Sequence, residues 1–150
     1  MKSIFDQAVR DELIMRIQSL SKDHTARWGK MNIYQMISHC ILWDGWILGN
    51  TNLKYKQEFL GKLFGKMALR SSVKDDKPIG KNMPAGRAFI IKEQNGNVEL
   101  QKKIWVERIA AYEHFSNPDF IHDFFGKMTK EQIGIFAYKH SDHHLRQFNA

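Results

Sequence analysis

The sequence predicts an all-α fold, a four-helix bundle with a long crossover between its second and third helices. Three observations carry that prediction. Apolar residues recur at helical spacing in four stretches, and two of those stretches open with a complete capping-box pattern. About fifty residues separate the second stretch from the third, far beyond the roughly 2–8 residues of an ordinary helix–helix connection. At 150 residues the chain has the size of one ordinary domain, so residues 1–150 are read as a single unit.

The first helix is expected in "SIFDQAVRDELIMRIQSL", where Phe5, Val9, Leu13, Ile17 and Leu20 form one stripe and Ser3 is placed to cap the start. The second begins in "MNIYQMISHCILWDGWILG". Asn32 and Gln35 have capping-box spacing, Met31 and Met36 that of a hydrophobic staple, and the helix should end near Gly49. The third is "VELQKKIWVERIAAYEHF", in which Val98, Trp105, Ile109 and Tyr112 share a face after the turn "QNGN", and it should stop before "SNPD". The fourth starts at "MTKEQI", where Thr129 with Gln132 and Met128 with Ile133 repeat the box and the staple. It runs on almost to the C-terminus. Within the crossover, "YKQEFLGKLFGKMALR" sets Lys62, Lys66 and Arg70 apart from Phe59, Leu63 and Met67, which suits a short amphipathic helix, and "DDKPIGKNMPAGRAF" reads as irregular loop.

Composition narrows the function classes. No stretch is long and apolar enough for a membrane span, and the N-terminus scatters charge through its apolar positions, so neither secretion nor a membrane partner is expected. A single cysteine, Cys40, forms no internal disulfide, and a reducing cytoplasm is the expected location. The net charge of +7 lies between Lys54 and Lys92, where ten lysines and arginines meet three acids, while the remainder balances thirteen against thirteen. That segment could draw an anionic small molecule, a nucleic acid or an acidic lipid surface. A solvated lysine face is the favoured reading, because no nucleic-acid-binding motif accompanies the charge.

The C-terminal stretch "YKHSDHHLRQF" carries the chemistry. At about 100° per residue, His140 and His144 lie about 40° apart on one helix face, one turn above the other, so their rings can converge on one point. Ile133, Phe136 and Gln147 share that face, which makes it the core stripe. His39, on the second helix among Met36, Leu42, Trp43 and Trp46, is the expected third partner. Three inward histidines on two helices would form an open site for a divalent metal, zinc, nickel or iron. Trp43, Trp46 and Phe136 are expected to line an apolar pocket beside it. His143 is open to three roles: a neighbour of the ligands, a substrate contact or a surface residue. Asp142 points away from the site and pairs with Arg146 or reaches another element. Cys40 reads as a small buried residue. No Asp or Glu shares the ligand face of either helix, so no catalytic residue is assigned.

The order of these motifs, "KMNIYQMISHCILW" and far downstream "FFGKMTKEQIGIFAYKHSDHHLRQF", resembles the DinB/YfiT-like superfamily of metalloenzymes. The tail is similar to one branch of it, with a C-terminal H-x-D-H-H-L-x-Q-F motif, whereas residues 50–96 carry none of the likeness. The resemblance implies the bundle, a divalent metal on His39, His140 and His144, and a homodimer. Some members are thiol S-transferases that use bacillithiol, mycothiol or glutathione, and others are hydrolase-like, so a small-molecule substrate, such as an anionic thiol, is what it implies here. In that branch a His-Pro pair and a tryptophan after the last helix cap are common. This chain has His122-Asp123 and Ile133 there. The alternative expectation is a non-catalytic metal- or ligand-binding protein of stress response or interaction.

Overall fold

Two capping boxes fix where the principal helices begin. In the computed structural model, which describes residues 1–83 and 86–150, the Asn32 and Thr129 side chains accept from the backbone N–H groups of Gln35 and Gln132. The two glutamine side chains accept from the cap N–H groups in return. The helices so started are α2 (Ile33–Ile47) and α5 (Lys130–Gln147). The others are α1 (Gln7–Ser19), α3 (Phe59–Ser72) and α4 (Val98–Ala111), the last capped by the Asn97 side chain. Strand is confined, among the described residues, to a two-residue antiparallel hairpin, β1 (Ile121–His122) with β2 (Gly126–Lys127). The chain is therefore mostly helical, and among the described residues no helix is long and apolar enough to cross a membrane.

Helix α2 packs on α4 and α5, and α1 on α4 and α5, around one core. Its largest buried side chains include Trp46, Trp105, Tyr112 and Phe148. The expected stripe of α1 is present: Val9, Leu13, Ile17 and Leu20 are buried. Each contributes roughly 1.5–3 kcal/mol, which outweighs the ~1 kcal/mol forgone because Asp6, the observed cap, makes no side-chain capping bond.

The start of α1 departs from the sequence expectation. Ser3 does not cap it. The Ile4 N–H donates to the Gly134 carbonyl, and the Arg10 guanidinium donates to the carbonyls of Ile4 and Phe5, so this segment is held across α5 before the helix begins. Gly134 permits the crossing, since a Cβ there would meet the Ser3 hydroxyl and the Phe5 ring at 2.4 and 2.5 Å.

The crossover contains the amphipathic helix expected of it, α3, and a 3-10 turn at Arg87–Phe89 inside the stretch read as irregular. Residues 84 and 85 of that stretch lie outside the described residues. Lys139, buried on α5, ties the crossover down by donating to the carbonyls of Ser72, Asp75 and Lys77. A second buried anchor joins α2 to α4: Asp44 accepts from Trp105 Nε1 at 3.0 Å and from the Tyr112 hydroxyl at 2.8 Å. Burial pushes the Asp44 carboxyl up to about 7, against these two bonds and the nearby charge of Arg108.

Candidate metal centre

Each histidine of the centre arrives on a face that sequence periodicity predicts. His39 sits on the buried face of α2 with Met36 and Trp43, and His140 and His144 on that of α5 with Ile133, Phe136 and Gln147. The three rings meet, with centroids 5.2 Å apart for His39 and His140, 4.9 Å for His39 and His144, and 4.7 Å for His140 and His144. One donor atom from each can be chosen so that all lie within 4.8 Å of one another.

Hydrogen bonds orient two of the rings. His39 Nδ1 lies 2.9 Å from the Phe89 carbonyl oxygen, which only accepts, so Nδ1 carries the hydrogen and Nε2 presents its lone pair. His144 Nδ1 likewise donates to Gln147 Oε1 at 2.9 Å. Gln147 is fixed in turn, because its amide nitrogen donates to the Trp28 carbonyl at 2.7 Å. His140 Nε2 faces His39 Nε2 at 3.2 Å, and the Trp43 ring stacks on His140 at 3.9 Å. The buried Nδ1 of His140 has no hydrogen-bond partner among the described residues.

All three rings are held neutral. Burial lowers the pKa of His39 despite the Phe89 carbonyl, lowers His140 well below the ordinary value with help from its histidine neighbours, and takes His144 down to about 3. Neutral imidazoles with inward lone pairs are the form that metal ligation needs. Two nitrogens about 2.0–2.1 Å from one ion lie roughly 2.9–3.4 Å apart in octahedral or tetrahedral geometry. The 3.2 Å contact between His39 and His140 falls within that range. Three neutral imidazole donors gathered this closely could hold a metal ion.

The remaining predicted residues divide. Phe136 packs against Trp43, 5.9 Å between centroids, and Trp43 flanks the centre through its stack on His140. Trp46 stands apart from it: its ring is buried against Phe89, Phe120 and His122. His143 is half-buried, 5.0 Å from His144 by ring centroid, and turns toward Trp28. There it lines a cleft of about 360 Å³ with Arg27, Lys81 and Arg146. Asp142 makes the predicted pair with Arg146 and also accepts from Arg16 of α1 at 2.8 Å. Cys40 is buried, and burial raises its thiol pKa well above the usual range.

Three further groups have no role assigned from the sequence. Phe89 acts through a backbone carbonyl, which no residue type announces. Asp44, a carboxylate five residues after His39 on an apolar face, bonds Trp105 and Tyr112 rather than the histidines. His122 lies buried against Phe125, 4.4 Å between centroids, and accepts from the N–H of Phe124.

Fold and site together define a helical protein with a buried cluster of three histidines able to hold a metal ion. The chain belongs to the family described as "Protein of unknown function (DUF1569)", whose model matches residues 5–150. No curated protein and no solved structure matches it.

Proposed function

We propose that the protein is a metal-dependent enzyme of the DinB/YfiT-like type, in which α1, α2, α4 and α5 are the four helices of the bundle. Its resident ion is zinc, nickel or iron on His39, His140 and His144. The observation that carries this reading is the fixed tautomer of two rings: Phe89 and Gln147 take the Nδ1 hydrogens of His39 and His144 and leave both Nε2 atoms unprotonated and able to ligate. When bound, such an ion supplies Lewis acidity that lowers the pKa of a thiol or a water at an open position.

The chain's own residues then hold a small substrate. Trp43 and Phe136 give an apolar wall, and Arg27, Lys81 and Arg146 around His143 suit an anionic group on a low-molecular-weight thiol. We place the protein in the cytoplasm as a homodimer, in line with its one buried cysteine and with the superfamily it resembles.

The test is purification without a histidine tag, metal analysis, and reconstitution of wild type, His39→Ala and His140→Ala. Stoichiometric metal in wild type alone, with consumption of an electrophilic probe that needs both metal and thiol, supports a thiol S-transferase. Cleavage of an ester or amide with no thiol consumed turns the assignment to a hydrolase. Metal without turnover leaves the alternative, a non-catalytic metal- or ligand-binding protein. Absence of metal after reconstitution removes the assignment altogether.

A further inference from the structure

Helix α3 turns its apolar face away from the protein. Phe59, Leu60, Leu63, Phe64 and Met67 are 74, 60, 61, 51 and 67% exposed, five of the ten exposed large hydrophobic residues among those described. At about 100° per residue they fill a sector of about 140°. The buried side of the helix is the opposite one, made of Gly61, Gly65 and Leu69. A Cβ at residue 61 or 65 would lie 2.3 or 2.1 Å from the Phe124 carbonyl oxygen, so only the glycine stripe allows α3 to lie against the hairpin backbone.

The helix is also secured against rolling over. At its N-terminal end the Glu58 N–H donates to the Asp123 carbonyl and the Gln57 amide to the Phe124 carbonyl. In the middle Lys66 donates to the Lys127 carbonyl, and at the C-terminal end Lys139 holds the Ser72 carbonyl. The outward apolar face is thus a consequence of how both ends and the glycine stripe are fixed. An apolar face held in water by this many contacts calls for an occupant.

Charge selects among the possible occupants. Lys62, Lys66 and Arg70 follow one another along one edge of the apolar sector, and Lys54, Lys56 and Arg87 border the cleft that Phe59 and Lys62 line. The whole excess of +7 lies between Lys54 and Lys92, while the rest of the chain is neutral. A second copy seated on this face would bring two segments of the same sign together, with Glu58 the single acid between residues 54 and 74 to offset them. A nucleic acid would answer the charge and leave five large apolar side chains in water. An anionic bilayer surface answers both: the apolar face enters the headgroup boundary while the cations meet lipid phosphates and carboxylates.

We propose that α3 is a docking helix by which the folded protein binds reversibly to anionic lipid surfaces. Charge alone does not distinguish a lipid surface from other anions, and the exposed apolar face is the independent second observation.

The test is sedimentation of the full chain with vesicles of phosphatidylcholine alone or with about 30 mol % phosphatidylserine added. Wild type is expected to pellet with the anionic vesicles and to remain in solution with the neutral ones. Leu63→Glu and the pair Lys62→Glu with Arg70→Glu lie at exposed positions of α3, so circular dichroism and thermal midpoint should match wild type. Each is expected to lose roughly tenfold or more in partition. Wild type that ignores both vesicles, or Leu63→Glu that binds as well as wild type, would overturn the proposal. So would a dimer in sedimentation equilibrium that Leu63→Glu dissolves in the absence of lipid, since the face would then belong to a second copy.

Discussion

The Nε2 atoms of His39 and His140 face each other at 3.2 Å although the residues stand 101 positions apart. Because His39 Nδ1 already donates to Phe89, only two arrangements satisfy the contact: His140 donates across it, or both lone pairs converge on a cation. The second predicts a large thermal response to metal. With free zinc at about a hundred times the dissociation constant, wild type should gain about 2.7 kcal/mol. His39→Ala and His140→Ala should lose that gain, as read from thermal midpoints with and without zinc. An equal shift in His140→Ala would place the ion elsewhere.

Gln147 tests how far orientation of a ligand governs affinity. It takes the His144 hydrogen with its oxygen and donates to the Trp28 carbonyl with its nitrogen. Gln147→Leu removes both bonds and leaves a buried N–H unpaired, which should cost about 1–3 kcal/mol in stability. It should also weaken metal binding by roughly 10–100-fold in competition with a chromophoric chelator. Gln147→Glu keeps an acceptor for His144 and should retain most of the affinity. Equal losses in both variants would mean that the residue serves packing alone.

The pH dependence of stability pits two groups of residues against each other. The three histidines have folded pKa values below the ordinary 6.5, so the unfolded chain binds more protons and their contribution falls as pH drops below about 6.5. Asp44 has the opposite sign. Its carboxyl is raised to about 7 from 3.8, so between about pH 4 and 7 the folded state binds the extra proton and acidification favours folding. The histidines outnumber it, and wild type without added metal should lose stability on acidification below pH 6.5. Asp44→Asn, which cannot take up that proton, should lose it more steeply, by on the order of 1 kcal/mol per pH unit. Denaturant midpoints at intervals from pH 4 to 7 provide the check, and parallel curves would contradict the raised carboxyl.

How much of this was legible in the sequence depended on where the determining contacts lie along the chain. Both capping boxes and the inward faces of His39, His140 and His144 follow from spacings within a single helix, and each is found where periodicity puts it. The outward face of α3 was not legible. Its pattern is amphipathic whichever side is buried, and the choice is made by the Phe124 backbone, about sixty residues away. The orientation of His39 depends on a carbonyl fifty positions downstream, in a stretch read as loop. The start of α1 lies at Asp6 rather than at the expected Ser3 for the same reason, since a contact to Gly134 decides it.

Lys139 offers a last test, of the crossover rather than the site. Its ammonium is buried with three carbonyl oxygens, those of Ser72, Asp75 and Lys77, as hydrogen-bond partners. An ammonium has three donors, so every one is used and the segment from 72 to 77 is drawn onto α5 next to His140. Lys139→Met keeps the length of the side chain and removes all three bonds. The freed carbonyls can turn to water only if the segment lifts, so the expected loss is roughly 2–4 kcal/mol, below the sum of three isolated charged bonds. Amides of residues 73–79 should then exchange at least about tenfold faster by mass spectrometry, while those of α2 and α4 keep their order of protection. Uniform acceleration across the chain would mean that Lys139 supports the core as a whole. A local change would identify it as the tie that holds the crossover beside the histidines.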